Sequence, residues 1–239
     1  MTEPTWQRAT VFVLRLSKVP MRDKLFRSAT TPHPHAIEYR ATFRDKPAPD
    51  ACVYTLPGSS LTKLGHPAGV AAEAEVRDAF FADRECTQLI CRTLMGPRDS
   101  DGRRRYTVVG PDGHVVGEIE RVPPRNRFAN HSWRMRQPGQ PELSTTGVTL
   151  GRLRDGAITT AFGLAAGYLT DLVFSNSNTG GDSPAARTLH WWTTGVTPTQ
   201  KALSSSSSCA VGQPWQVWVD WLDRRLVFAQ MMIGDSAYF

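Results

Sequence analysis

The side chains best suited to chemistry in this chain are arginines, and they are concentrated in one stretch. Eleven fall between Arg98 and Arg154, with no lysine among them, against six carboxylates (Asp99, Asp101, Asp112, Glu118, Glu120 and Glu142), which leaves the stretch at +5. A guanidinium is a planar fork of donors that matches phosphate and carboxylate oxygens two at a time. Arg103, Arg104 and Arg105 are consecutive and sit at a loop–strand junction. Arg134 and Arg136 are two apart, so they project from one face of a strand, with Arg125 and Arg127 just before them. These seven are the candidate ligand-binding residues, for an anionic lipid headgroup, an inositol phosphate or another phosphate. The alternative reading is a solvated sheet exterior with no ligand.

Other chemistries find less support. None of G-x-S-x-G, G-x-x-x-x-G-K-[ST] or H-E-x-x-H occurs. His33-Pro34-His35 lacks a Cys or carboxylate at ligand spacing and reads as a Pro-rich surface loop. His114, His131 and His190 are expected on strands as half-buried hydrogen-bonders. Cys91 could be imagined as a nucleophile, but no local pattern supports it. No catalytic residue, metal or cofactor is therefore assigned, and the expectation is a protein that is not an enzyme. Nucleic acid is the competing anion, since seven tryptophans could stack on bases. Trp191, Trp215 and Trp221 fall on alternating apolar faces, where core packing explains them better, and no helix-turn-helix, zinc finger or RNP-like strand is present.

The whole chain has 239 residues, a net charge of +6 and a pI near 9.4, which favours an anionic partner. Cys52, Cys86, Cys91 and Cys209 show no C-x-x-C spacing and are expected to be reduced and buried, with Cys86 and Cys91 on opposite faces of one strand. Glu3, Arg15 and Lys18 around a short apolar run do not make a signal peptide, so a cytoplasmic protein, possible at the membrane surface, is expected.

The elements that must carry these residues are mostly strands. Residues 10–18, 36–43, 52–56, 86–95, 106–109, 115–122, 131–137 and 187–194 read as short strands. Gly110-Pro111-Asp112-Gly113 is a strong hairpin turn, and Pro138-Gly139-Gln140-Pro141 closes another strand. Residues 68–83, Ala-rich with Val76 and Phe80 four apart, read as a helix. Residues 156–174 read as an amphipathic helix containing Gly163-x-x-x-Gly167, lying on the strands or serving as a contact element for a partner. Residues 176–183 and the serine run 204–208 read as flexible loops.

The tail is the most distinctive element. Trp215, Val217, Val219 and Trp221 alternate onto one face, and the period then changes. Leu226, Val227, Phe228, Ala229, Met231, Met232 and Ile233 spread around a helical wheel, so a helix over 223–234 has no polar face and must be surrounded. At about twelve residues it spans roughly 18 Å, short of a bilayer core of about 30 Å. Protein must wrap it, with Leu226, Phe228, Met231, Met232 and Ile233 as its core residues. Asp220 or Asp223 is placed to cap its start and Gly234 to end it.

Tyr106–Ile119 (YTVVGPDGHVVGEI) and Trp218–Asp235 (WVDWLDRRLVFAQMMIGD) resemble two motifs of the tubby C-terminal-like superfamily, which includes the phospholipid scramblases and the LURP-one-related proteins with their bacterial relatives. The first is similar to that family's strand, Asp-Gly turn and V-G-x-I strand, and the second to its closing strand and buried helix. The resemblance covers about residues 86–239. It implies a mainly β fold, a closed antiparallel barrel of about twelve strands around the C-terminal helix, with residues 151–178 as a helical insertion. Residues 1–85 would be either its first strands or an added subdomain. It also implies lipid or phosphoinositide binding without catalysis, although no acidic loop like the scramblases' calcium site is present and no tubby lipid-binding residue carries across. A protein-interaction module without a lipid ligand is the alternative, and the oligomeric state is left open.

Overall fold

The computed structural model describes residues 5–15, 35–42, 52–61, 75–123, 132–145, 188–206 and 214–234. The expected helix 156–174 and loop 176–183, with Arg125, Arg127, His33, His131 and Cys209, lie outside them.

Twelve strands among the described residues form one closed antiparallel barrel. They are β1 (Val11–Arg15), β2 (His35–Arg40), β3 (Cys52–Pro57), β4 (Glu75–Phe81), β5 (Leu89–Arg98), β6 (Arg104–Val109), β7 (Val115–Val122), β8 (Ser132–Arg136), β9 (Leu143–Ser144), β10 (Thr188–Thr193), β11 (Lys201–Ser206) and β12 (Pro214–Val217). Each pairs with its neighbours in sequence, and β12 closes the ring on β1 through Phe12 opposite Trp215. Closure leaves no sheet edge to pair with another chain. β1–β4 come from the stretch whose role was open, and they belong to the same sheet as the rest.

One large apolar cluster draws residues from every strand, among them Phe12, Ile37, Val53, Phe80, Cys91, Tyr106, Ile119, Trp133, Met135, Leu143, Trp191, Leu203 and Trp215. A cluster fed by all twelve strands of a closed sheet occupies its inner face. Helix α1 is the single turn Gly58–Leu61, and α2 is Arg224–Ile233. Leu226, Val227, Phe228, Ala229, Met231 and Ile233 of α2 are buried in the inner cluster, with Met232 partly buried against it. Phe228 meets the rings of Trp6, Phe12 and Phe80, each about 5.5–6 Å from its own. Gly117 on β7 explains the V-G-x-I motif physically. A Cβ there would come 3.1 Å from Leu226 and 2.4 Å from the Arg136 carbonyl, so the glycine makes the slot for the helix.

Local chemistry sets the ends of α2. Asp223 is the N-cap and accepts from Arg225 N at 2.9 Å, while Gly234 donates its N–H to Gln230 O at 3.1 Å. The Gln137 side chain, in the turn after β8, holds the approach to the helix with both ends of its amide. It donates to Trp221 O at 2.9 Å and accepts from Asp223 N at 2.8 Å.

Several expectations need correction. Residues 75–81 are strand β4, not part of a helix. The four-residue spacing of Val76 and Phe80 suits either period, and pairing with both β3 and β5 decides for strand. Residues 204–206 belong to β11 rather than a loop. Serine is a weak strand former, but Ser205 faces inward opposite Leu189 and its Oγ accepts from Trp191 Nε1 at 2.8 Å, so tertiary pairing overrides propensity. β12 stops at Val217, although Val219 beyond it is still buried. Cys86 lies in the β4–β5 turn at φ 57°, not on β5, and packs outside the barrel with Leu56, Leu61, Ala79 and Phe81. Cys52 is only partly buried. His114 directly follows the Gly110–Gly113 turn, exposed and bonded to Asp112, and His190 on β10 is exposed, with Nδ1 3.4 Å from Ser204 Oγ.

Candidate functional site

β6, β7 and β8 lie side by side, and alternation sorts their charged residues between the two faces. Arg105 pairs with Glu120, Glu120 with Arg134 and Glu118 with Arg136, all on the outer face. Glu120 is nearly buried there, 3.5 Å from Arg103 Nη1 and 3.7 Å from Arg136 Nη2. Glu142, in the β8–β9 turn, accepts from Arg136 Nε at 2.6 Å and lies 3.9 Å from Arg134. The Glu142 hydrogen bond raises the Arg136 pKa. Arg103 also lies 3.9 Å from Asp101.

Arg103, Arg134 and Arg136 therefore stand in a cross-strand ladder of alternating charge. Arg105 is exposed and makes no ion pair among the described residues. Beside it a cleft of about 280 Å³ runs between Gly96, Pro97, Arg103, Arg105 and Glu120.

Arg104 is separated from its two neighbours. It pairs directly with Arg121, which in turn pairs with Trp133, and Tyr106 two residues on pairs with Ile119. Residues directly opposite share a face, so Arg104 and Arg121 point to the inner side with Trp133 and Ile119. The Arg121 guanidinium lies 5.8 Å from the Trp133 ring centroid.

Arg77 joins them from β4. The register shifts between Val76 and Asp78, and this bulge turns Arg77 inward, 5.6 Å from the Tyr106 ring and donating to Met232 O of α2 at 3.1 Å. Asp78 pairs with Thr93, itself opposite Val108 of the inner cluster, and lies 3.7 Å from Arg77 Nε. Burial pushes the Asp78 pKa up to about 6 despite the neighbouring Arg77 charge.

Among the described residues no three His, Cys, Asp or Glu side chains gather at metal-binding range. Cys91 is fully buried, and burial pushes its thiol pKa up, away from thiolate formation. Burial likewise lowers the pKa of His35.

Of the seven selected arginines, five are described. Four of these share the outer surface or its rim, and Arg104 faces inward. Arg77, Asp78 and Arg121 were not selected from sequence. The spacing of Arg121 from Ile119 signals an inward position, whereas nothing local marks the bulge at Arg77. Comparison with protein-family models, curated proteins and solved structures finds no significant match to this chain.

Proposed function

We propose that this protein is a non-enzymatic, tubby-like binding protein that recognises anionic phospholipid peripherally, on the cytoplasmic face of a membrane. In this reading α2 runs through the barrel as a central helix, as in the tubby-like architecture, and makes the barrel a rigid support. The observation that carries the proposal is the run Arg103–Arg105 where β6 begins, with exposed Arg105 beside a cleft that opens next to Arg103. The net charge of +6 supplies long-range attraction to the same surface.

The ladder narrows the contact. Arg134 and Arg136 are engaged by Glu120 and Glu142, so they lend field rather than direct phosphate bonds. No helix among the described residues is long and apolar enough to cross a membrane, and the proposed attachment needs none. Flotation with phosphatidylcholine vesicles, with and without phosphatidylserine, tests it at low and high salt. Binding that requires the anionic lipid, weakens with salt and falls in Arg105→Gln is expected. Absence of binding at every composition and salt overturns the proposal.

A further inference from the structure

The inner arginines form a second locus, independent of the lipid reading. Arg104 and Arg121 are direct cross-strand partners on the inner face, a placement that puts two positive charges opposite each other and disfavours the pairing unless a counter-charge sits between them. The outer face meets the same problem by alternating Glu with Arg. The inner face does not, because among the described residues neither Arg104 nor Arg121 forms an ion pair.

Their nitrogens are also unsatisfied. Arg104 Nε, Arg121 Nε and Arg77 Nη1 are buried atoms with no hydrogen-bond partner. Leaving charged donors buried and unbonded is costly. They are linked through two rings: Arg77 lies 5.6 Å from the Tyr106 ring, Tyr106 is two residues from Arg104 on the same face of β6, and Arg121, opposite Arg104, lies 5.8 Å from the Trp133 ring. Asp78, 3.7 Å from Arg77, balances that arginine and leaves Arg104 and Arg121 uncompensated. The helix end, which on its own would repel an anion, is blunted because Arg77 donates to Met232 O. Arg104 and Arg121 remain partly exposed, so a ligand can reach them.

We infer that Arg77, Arg104 and Arg121 form an anion-binding site inside this end of the barrel, suited to a phosphate group. Each guanidinium would give a phosphate oxygen a charge-assisted bond. Either a free phosphate compound or a lipid phosphate could supply that group.

Titration calorimetry of the full chain with inorganic phosphate, and separately with dihexanoyl phosphatidic acid kept below its micellar concentration, tests the site against chloride at matched ionic strength. Saturable binding is expected, weakened at least about tenfold by Arg104→Gln or Arg121→Gln and unchanged by Arg84→Gln in the exposed turn between β4 and β5. Tighter binding of the lipid phosphate would identify a headgroup, and equal binding a free phosphate. In chloride alone, Arg104→Gln should melt at or above the wild-type temperature, because it removes a like-charge pair. The inference is overturned by absence of saturable binding, by undiminished binding in both inner variants, or by a lower melting temperature of Arg104→Gln in chloride.

Discussion

The two ends of the barrel treat arginine in opposite ways. Where the chain enters α2, Arg224 is buried, and its guanidinium donates to three backbone carbonyls, Ala9 O at 2.9 Å, Val219 O at 3.1 Å and Leu222 O. Burial lowers its pKa, while Asp220 and Asp223 oppose that shift. This arginine is a staple that joins the start of β1, the end of β12 and the first turn of the helix. At the other end Arg77, Arg104 and Arg121 also face inward, but each keeps one buried nitrogen without an acceptor. The same residue type is thus structural or ligand-seeking according to whether the fold supplies its acceptors.

The sharpest way to break this contrast is at the entry end. Arg224→Met removes every donor to three carbonyls at once and should cost about 3 kcal/mol or more, read as a large drop in denaturation midpoint. A midpoint unchanged from wild type would show that the carbonyls find other donors and that Arg224 is no staple.

A smaller effect of opposite sign is expected at the other end. The folded-state pKa of Asp78, about 6, lies above the ordinary carboxyl value of 3.8, so the folded state holds the proton more tightly than the unfolded chain. Stability is therefore lost as pH rises from about 4 to about 6, and the loss is complete above that window. Asp78→Asn should abolish this slope and stabilise the protein at neutral pH by up to about 3 kcal/mol, measured by urea melts at pH 4.5 and 7.5. A variant that is less stable at pH 7.5 would show instead that the ion pair with Arg77 outweighs desolvation.

The outer ladder should respond least. Arg136 is exposed and water screens its charge, so Arg136→Gln should change stability by no more than about 1 kcal/mol. A larger loss in thermal melts would mean that nearly buried Glu120 depends on Arg136 and that the ladder is part of the barrel's framework.

How much of this was legible depended on whether the signal was local. The hairpin at Gly110–Gly113 and the tail from Asp223 to Gly234 were readable because their turn chemistry, cap and apolar wheel lie within a few residues of each other. β4 was misread because a spacing of four fits helix and strand alike. β11 was missed because its serines are made strand-like only by neighbours on β10 and β12. For the site, consecutive Arg103, Arg104 and Arg105 had to alternate on any strand, but which of them faces inward needed the register with Arg121 and Glu120. Arg77 was invisible, since a bulge leaves no mark in the residues that form it.

The sequence alone determined the β-rich character of the chain, its buried closing helix and its surplus of arginine, because alternation, helical period and charge are properties of neighbouring residues. The tertiary structure alone decided which arginines are neutralised and which remain unsatisfied. Electrostatic energy is set by distances across strands, and partners such as Glu120 and Arg136, or Arg224 and Ala9, become neighbours only when the barrel closes.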